Sequence, residues 1–255
     1  MIRLLVNCDD LGMHPSINGA IVDLLSHDRV RSASLLATGA HFDDAVRRLR
    51  EVGRTAVGVH LALGNEYPQL RTRPVSPKSL RASFVTNDGF LWPTWLGKTP
   101  IVDVDDAANE LRAQVERVSA AGFSITHLDG HLFFYEPFEY GSNELLDRVE
   151  TMAKAIGVPF RSVAEPARGP VEQTHFIWDG FDTAEARWGY YAGLLTTLKP
   201  GTHELIVHPG DDIDAMSGFT RAASRRWADY EFLRSERFPE LLEHLRIDLV
   251  SWSEL

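Results

Sequence analysis

The sequence predicts an α/β fold of the (β/α)-barrel type, a distorted TIM-like barrel of mainly parallel strands covered by helices. Three observations predict it. Short apolar, strand-like runs alternate with amphipathic, helix-like segments along the 255 residues, the pattern of a parallel sheet with helical crossovers. About eight such units fit, which suits a barrel; a doubly wound open sheet is the competing arrangement. Finally, the helix-like segments stop at Gly53, Gly122 and Gly157, as helices commonly stop at a glycine.

The elements follow in order. Ile2 to Val6 is an apolar run broken by Arg3, read as a buried strand that ends in Asn7-Cys8-Asp9-Asp10. Pro15 stands where the first helical turn begins, and Ile17, Ala20, Ile21 and Leu24 give that helix its apolar stripe. Arg31 to Thr38 reads as a strand, His41 to Glu51 as a helix, and Val57 to Leu61 as a strand. Asp103 to Ala121 is the clearest helix, with Asp103 as N-cap and Leu111, Val115 and Val118 on one face. Phe123 to Leu128 is a strand, Asn143 to Ile156 a helix, Val158 to Val163 a strand, and Thr174 to Trp178 a further strand candidate. Ala184 to Leu198 is a helix and Glu204 to Val207 a strand; Arg221 to Leu245 is helical with a break at Pro239, and Ile247 to Val250 is the last strand.

Gly64 to Pro100 interrupts this rhythm. It lacks periodicity and carries five prolines together with Phe84, Phe90, Trp92 and Trp95. Structureless loops beyond about 12–15 residues are uncommon and tend to be functional or disordered. A disordered linker would be poorer in aromatics. An ordered excursion over one end of the barrel is expected, inside one catalytic domain spanning residues 1–255. Packing accounts for most of these aromatics; Trp92 or Trp95 could offer a flat face to a sugar ring.

Composition narrows the function. The net charge of −10 argues against a nucleic-acid partner. One cysteine excludes an internal disulfide. No run is long and apolar enough to span a membrane, and the chain opens on a strand rather than a signal peptide, so a cytoplasmic protein is expected. A homodimer is compatible with the sequence.

Asp9 and Asp10 stand at the carboxyl end of a buried strand, where two unpaired carboxylates would repel and resist desolvation. A helix cap explains one Asp; a divalent cation beside a free base explains two. Partners occur at other strand ends: His60 in Gly58-Val59-His60-Leu61, His127, Asp129 and His131 in Thr126-His127-Leu128-Asp129-Gly130-His131, and His208 in His208-Pro209-Gly210. Parallel (β/α) folds gather such ends on one face. A carboxylate and two imidazoles suit zinc or another first-row divalent ion, which lowers the pKa of bound water and polarises a carbonyl. With an Asp as base and a His as acid, that set describes hydrolysis of an amide or ester.

These motifs, together with Leu11-Gly12 and Asn18, resemble the YdjC-like carbohydrate deacetylases, the group of chitooligosaccharide deacetylases and hopanoid-associated homologues. The resemblance runs from the first strand to the last. It implies a (β/α)-barrel-like fold and metal-dependent removal of an acetyl group from an N-acetylated amino sugar or oligosaccharide. Carried over, Asp9 resembles the catalytic base, His208 the acid, and Asp10, His60 and His131 the ligands of one divalent ion, zinc or magnesium. Arg161 falls where the family often has an Arg near the base, with a surface salt bridge as the alternative. The family commonly continues its His131 motif with further histidines; here those positions are Phe133 and Tyr135, which sets apolar groups beside the site and bears on substrate preference. Two other functions fit less of the pattern. A catalytically idle carbohydrate-binding or regulatory protein would need neither Asp9 nor His208, and a phosphoesterase-like metal hydrolase would need ligands for a second ion.

Overall fold

The computed structural model describes residues 1–94, 101–134, 142–163, 170–177 and 180–255. Its centre is β1 (Ile2–Leu11), buried from Leu4 onward. On one side β1 pairs with β2 (Ser32–Leu36), then β3 (Ala56–Leu61) and β6 (Ser124–Gly130); on the other it pairs with β8 (Gly201–Val207) and then β7 (Gln173–His175). β9 (Ile247–Val250) pairs with the first half of β1, beneath β2. Every one of these pairings is parallel. The expected α/β architecture of parallel strands flanked by helices is therefore what the chain adopts. Among the described residues no backbone ladder joins β7 to the opposite edge. There, Phe160 bridges to Leu128 and carries the edge beyond β6.

Helices α1 (Pro15–Ser26), α2 (Phe42–Glu51), α3 (Val104–Ala120), α4 (Asn143–Ile156) and α5 (Ala184–Thr197) supply the crossovers. Their ends follow local chemistry. Pro15 opens α1, where its missing N–H costs nothing. The Asp103 carboxylate accepts from the N–H groups of Asp105 and Asp106 at the start of α3. α4 closes on Gly157 at φ 75°, a left-handed conformation that glycine adopts without strain. No helix among the described residues is long and apolar enough to cross a membrane.

β1 runs through both aspartates, as expected, and ends at Leu11. Two expectations change. Val158 to Val163 contributes a single bridge, at Phe160, rather than a strand. The C-terminal helix breaks at Ser235-Glu236, between α7 (Ala223–Arg234) and α8 (Arg237–Leu245), so that Pro239 lies in the first turn of α8, where a helix has no use for its N–H. A short helix, α6 (Ile213–Ser217), also follows β8. The described part of the long excursion, residues 64–94, is ordered. It holds a two-residue parallel pair, β4 (Gly64–Asn65) with β5 (Trp92–Pro93), and buries Phe84 and Leu91.

Two strands carry an extra residue. Cys8 pairs with Ala33 and Leu11 with Leu35, so β1 advances three residues where β2 advances two. The surplus lies at Asp9-Asp10, and Asp10 takes φ 70°. Likewise Val57 pairs with Ile125 and Val59 with Leu128, leaving two residues of β6 opposite Gly58. Both irregularities are β-bulges, which re-aim the side chains that follow. Gly58 is required there: a Cβ would meet the His127 ring at 2.1 Å.

Candidate active site

Successive residues of a regular strand point to opposite faces. The bulge in β1 lifts that rule, and Asp9 and Asp10 line the same cavity together with His60, His131 and His208. The cavity measures about 250 Å³, and Glu66, Leu132, Phe133 and Phe176 complete much of its wall.

Asp10 is 1% exposed. Its Oδ2 accepts from Arg226 Nη2 at 2.7 Å. Its Oδ1 lies 3.1 Å from His131 Nδ1 and 3.4 Å from His60 Nε2, yet it makes no hydrogen bond to either. The donor atoms of Asp10, His60 and His131 all lie within 4.8 Å of one another. Three ligating atoms that converge without bonding each other are what a small cation requires, so these residues could hold a metal ion. The orientation of His60 agrees: Nδ1 donates to Asp129 Oδ1 at 2.8 Å, which leaves the Nε2 lone pair for the ion. His131 presents Nδ1 to the centre and has Glu66 Oε2 3.7 Å from Nε2. Asp9, His60 and Asp129 form a second cluster of comparable size. Its donors are already engaged, Asp9 with Arg161 and Asp129 with His60.

The electrostatics follow from burial and neighbours. Burial opposes ionisation of Asp10, but Arg226 and the two imidazoles outweigh it and hold the carboxyl well below its usual range. Burial also opposes ionisation of Asp129, and Arg161 with His60 overcomes it in the same direction. For His60 burial favours the neutral ring, while Asp129, Asp9 and Asp10 push its pKa up to about 10 when no ion is bound. For His208 burial dominates: despite Asp10 and Asp9, its pKa falls to about 4.

A divalent cation is the simplest candidate to hold the Asp pair, and the structure adds to it. Each carboxylate has its own buried arginine. Arg161, 1% exposed, takes both oxygens of Asp9 at 2.8 and 2.9 Å and donates from Nε to Glu204 on β8 at 2.8 Å. It is no surface salt bridge. It crosses the interior from beside β6 to β8. Asn7 Nδ2 adds a bond to Asp9 Oδ1 at 2.8 Å.

His127 does not join the site. It is buried within β6, stacked on Trp252 at 4.8 Å between centroids. Trp92 lines an adjoining apolar cavity instead of the one that holds Asp9. Trp95 and Tyr135 lie outside the described residues. Phe133 is at the site, packed edge-on to Phe176 at 5.7 Å; Phe176 in turn lies 5.6 Å from the His208 ring.

Glu66 and Phe176 on the cavity wall, and Arg226 and Asp229 behind it, are residues of the candidate site that sequence reasoning missed. Asp229 Oδ2 accepts from the His208 backbone N–H at 3.0 Å and so holds that strand end. Arg226 and Asp229 carried a usable signal: both share the buried face of α7 with Ala223 and Leu233, and charges on an apolar helix face need partners. Glu66 and Phe176, in irregular segments, carried none.

Comparison with known proteins gives the family and the fold. A carbohydrate deacetylase of Thermoanaerobacter pseudethanolicus is 21% identical over 260 residues, covering all of both chains. Carbohydrate deacetylase 1 of Listeria innocua is 25% identical over 268 residues, again across both. A crystal structure from Enterococcus faecalis V583, named as a candidate for cellobiose-phosphate cleavage, superposes with a TM-score of 0.80 at 22% identity, covering 99% of this chain and 98% of that one. Residues 3–244 match the YdjC-like protein family, and the chain belongs to that family.

Proposed function

We propose that the protein is a divalent-metal-dependent hydrolase that removes the acetyl group from an N-acetylated sugar. The observation that carries this is the gathering of Asp10, His60 and His131 with Asp9 and His208 on one cavity. The names of the full-length relatives supply the substrate class. Two nitrogens and one carboxylate oxygen favour zinc over magnesium, which prefers an all-oxygen shell. A bound ion would supply Lewis-acid polarisation of the scissile carbonyl and a more acidic water.

The chain's own residues do the rest. A carboxylate offers about four lone-pair positions. Arg161 and Asn7 occupy three on Asp9, and the fourth, on Oδ2, takes the proton of the attacking water. The Arg161 grip also fixes the carboxylate plane, so the base is oriented before substrate arrives. His208 gives a proton to the departing nitrogen, since an amine leaves poorly unless protonated. At neutral pH its ring rests uncharged, so it takes that proton from solvent only after substrate binds, as negative charge grows on the carbonyl oxygen. Phe133 and Phe176 flank the cavity with apolar faces that suit the carbon face of a sugar ring.

The test is acetate release from a panel of N-acetylated sugars, with metal-stripped and metal-loaded protein and with Asp9→Asn. Release that needs the ion and falls by about 10²–10⁴ in the variant supports the assignment. Release that is indifferent to both removes it.

A further inference from the structure

A second cavity shares His131 and Leu132 with the catalytic one. Its other walls include Leu63, Phe84, Trp92, Val102 and Leu145, and its volume is about 40 Å³. Among the described residues, the side chains on it that carry a polar atom are Trp92, Thr94 and His131. The partition between the two cavities is unusual. Leu132 and Phe133, directly after His131, both take left-handed backbone, at φ 57° and 48°. Consecutive non-glycine residues in that region cost energy that only surrounding structure can sustain. The turn places Leu132 on both cavities, so a metal-side imidazole borders a mostly apolar chamber.

We infer that this chamber receives the acyl chain of the substrate and that the enzyme accepts N-acyl groups longer than acetyl. The inference rests on the hydrolase reading above. His131 and Leu132 border both cavities, which sets the second directly beside a carbonyl held at the first. A sugar suits it poorly, because among the described residues its hydroxyls would find few hydrogen-bond partners there. An alkyl chain loses nothing and gains burial. Roughly 10–15 Å³ of such volume holds one water, so the space matches two or three methylene groups, the chain of an N-propionyl or N-butyryl sugar. The chemistry balances as for acetyl. Water oxygen bonds to the acyl carbon, the C–N bond breaks, the nitrogen leaves protonated as the amine, and the chain leaves as a short-chain carboxylate.

The experiment compares kcat/KM of the metal-loaded protein on N-acetyl- and N-butyryl-glucosamine disaccharides, in the wild type, Val102→Phe and Val102→Ala. Wild type is expected to process the butyryl substrate within about tenfold of the acetyl one. Val102→Phe fills the chamber and lowers the butyryl-to-acetyl ratio by about tenfold or more; Val102→Ala enlarges it and raises the ratio. The opposite signs at one position keep the test decisive if either variant folds poorly. Rejection of the butyryl substrate by more than tenfold, or a ratio unchanged across the variants, overturns the acyl chamber while leaving deacetylation intact. Failure to hydrolyse either substrate overturns the hydrolase reading and the chamber with it.

Discussion

Arg161 grips Asp9 with both terminal nitrogens, Nη1 2.8 Å from Oδ2 and Nη2 2.9 Å from Oδ1. The pair is buried, and the same guanidinium also meets Asp129 at 3.1 Å and Glu204 at 2.8 Å. Replacing Arg161 with Met leaves three buried carboxylates short of their common cation. Breaking a buried pair in this way costs about 3–5 kcal/mol, so urea unfolding should show a midpoint well below wild type. Arg161→Lys keeps the charge but not the fork and should lie between the two. A Met variant as stable as wild type would mean that the cluster is not ionised as drawn.

His60 is predicted to couple metal affinity to pH. Without an ion its pKa stands near 10, raised by Asp129 and Asp9 against the opposing effect of burial, so at neutral pH Nε2 carries a proton that a metal must displace. Affinity should therefore rise with pH, by about tenfold per unit for this one proton. Chelator competition at several pH values measures the slope, and elemental analysis of His60→Ala should find less metal than in wild type. A flat profile with full metal content in the variant would remove His60 from the ligand set.

His208 makes two linked predictions about leaving groups and pH. On an N-acetylated sugar, His208→Ala should lose about 10²-fold or more, because the amine needs its proton. On an activated aryl acetate, whose phenolate leaves unaided, the loss should be small. In the free enzyme burial holds the ring pKa near 4, so the alkaline limb of kcat should lie at higher pH than that of kcat/KM, since only the first reports the substrate complex. Equal losses on both substrates would make His208 a packing residue.

Glu204 should tilt stability against pH. Burial raises its pKa, Arg161 opposes, and Asp9 and Asp129 add to the rise, giving about 7 against an ordinary 4.5. Between those values the folded protein keeps a proton that the unfolded chain has released. The contribution is thus complete below the unfolded pKa and lost as pH rises through the folded one, a change on the order of 3 kcal/mol. Denaturation at pH 5 and pH 8 should show that decline in wild type and a smaller one in Glu204→Gln. The same decline in both proteins would place the titrating group elsewhere.

How much of this was legible depends on where each residue sits. Asp9, Asp10, His60, His131 and His208 were readable because parallel topology sends successive strand ends to one face; the motif at each end was local and the convergence followed. Arg161 was readable only by resemblance, since it follows a segment that forms one bridge rather than a strand. Its partners are set by three-dimensional closeness that no periodicity encodes. Trp92 was readable as part of the excursion, but not as lining the smaller cavity beside Asp9's, because the sequence shows an aromatic and not the direction it faces. The reason for the Asp pair was only half readable. Mutual repulsion demanded a counter-charge, and the chain answers it with Arg161 and Arg226 as well as with a metal-competent trio.

The bulges in β1 and β6 make the centre depend on a residue count as well as on residue identity. A chain that kept every side chain of the site but lost one position between Val6 and Leu11 could still form its ladder. Its pleat would then run in step, and neighbouring side chains there would be thrown to opposite sides of the sheet. Surface loops absorb insertions and deletions freely; this stretch cannot. Substitution is the only kind of change open to it, and the spacing itself is the part of the catalytic centre least free to drift.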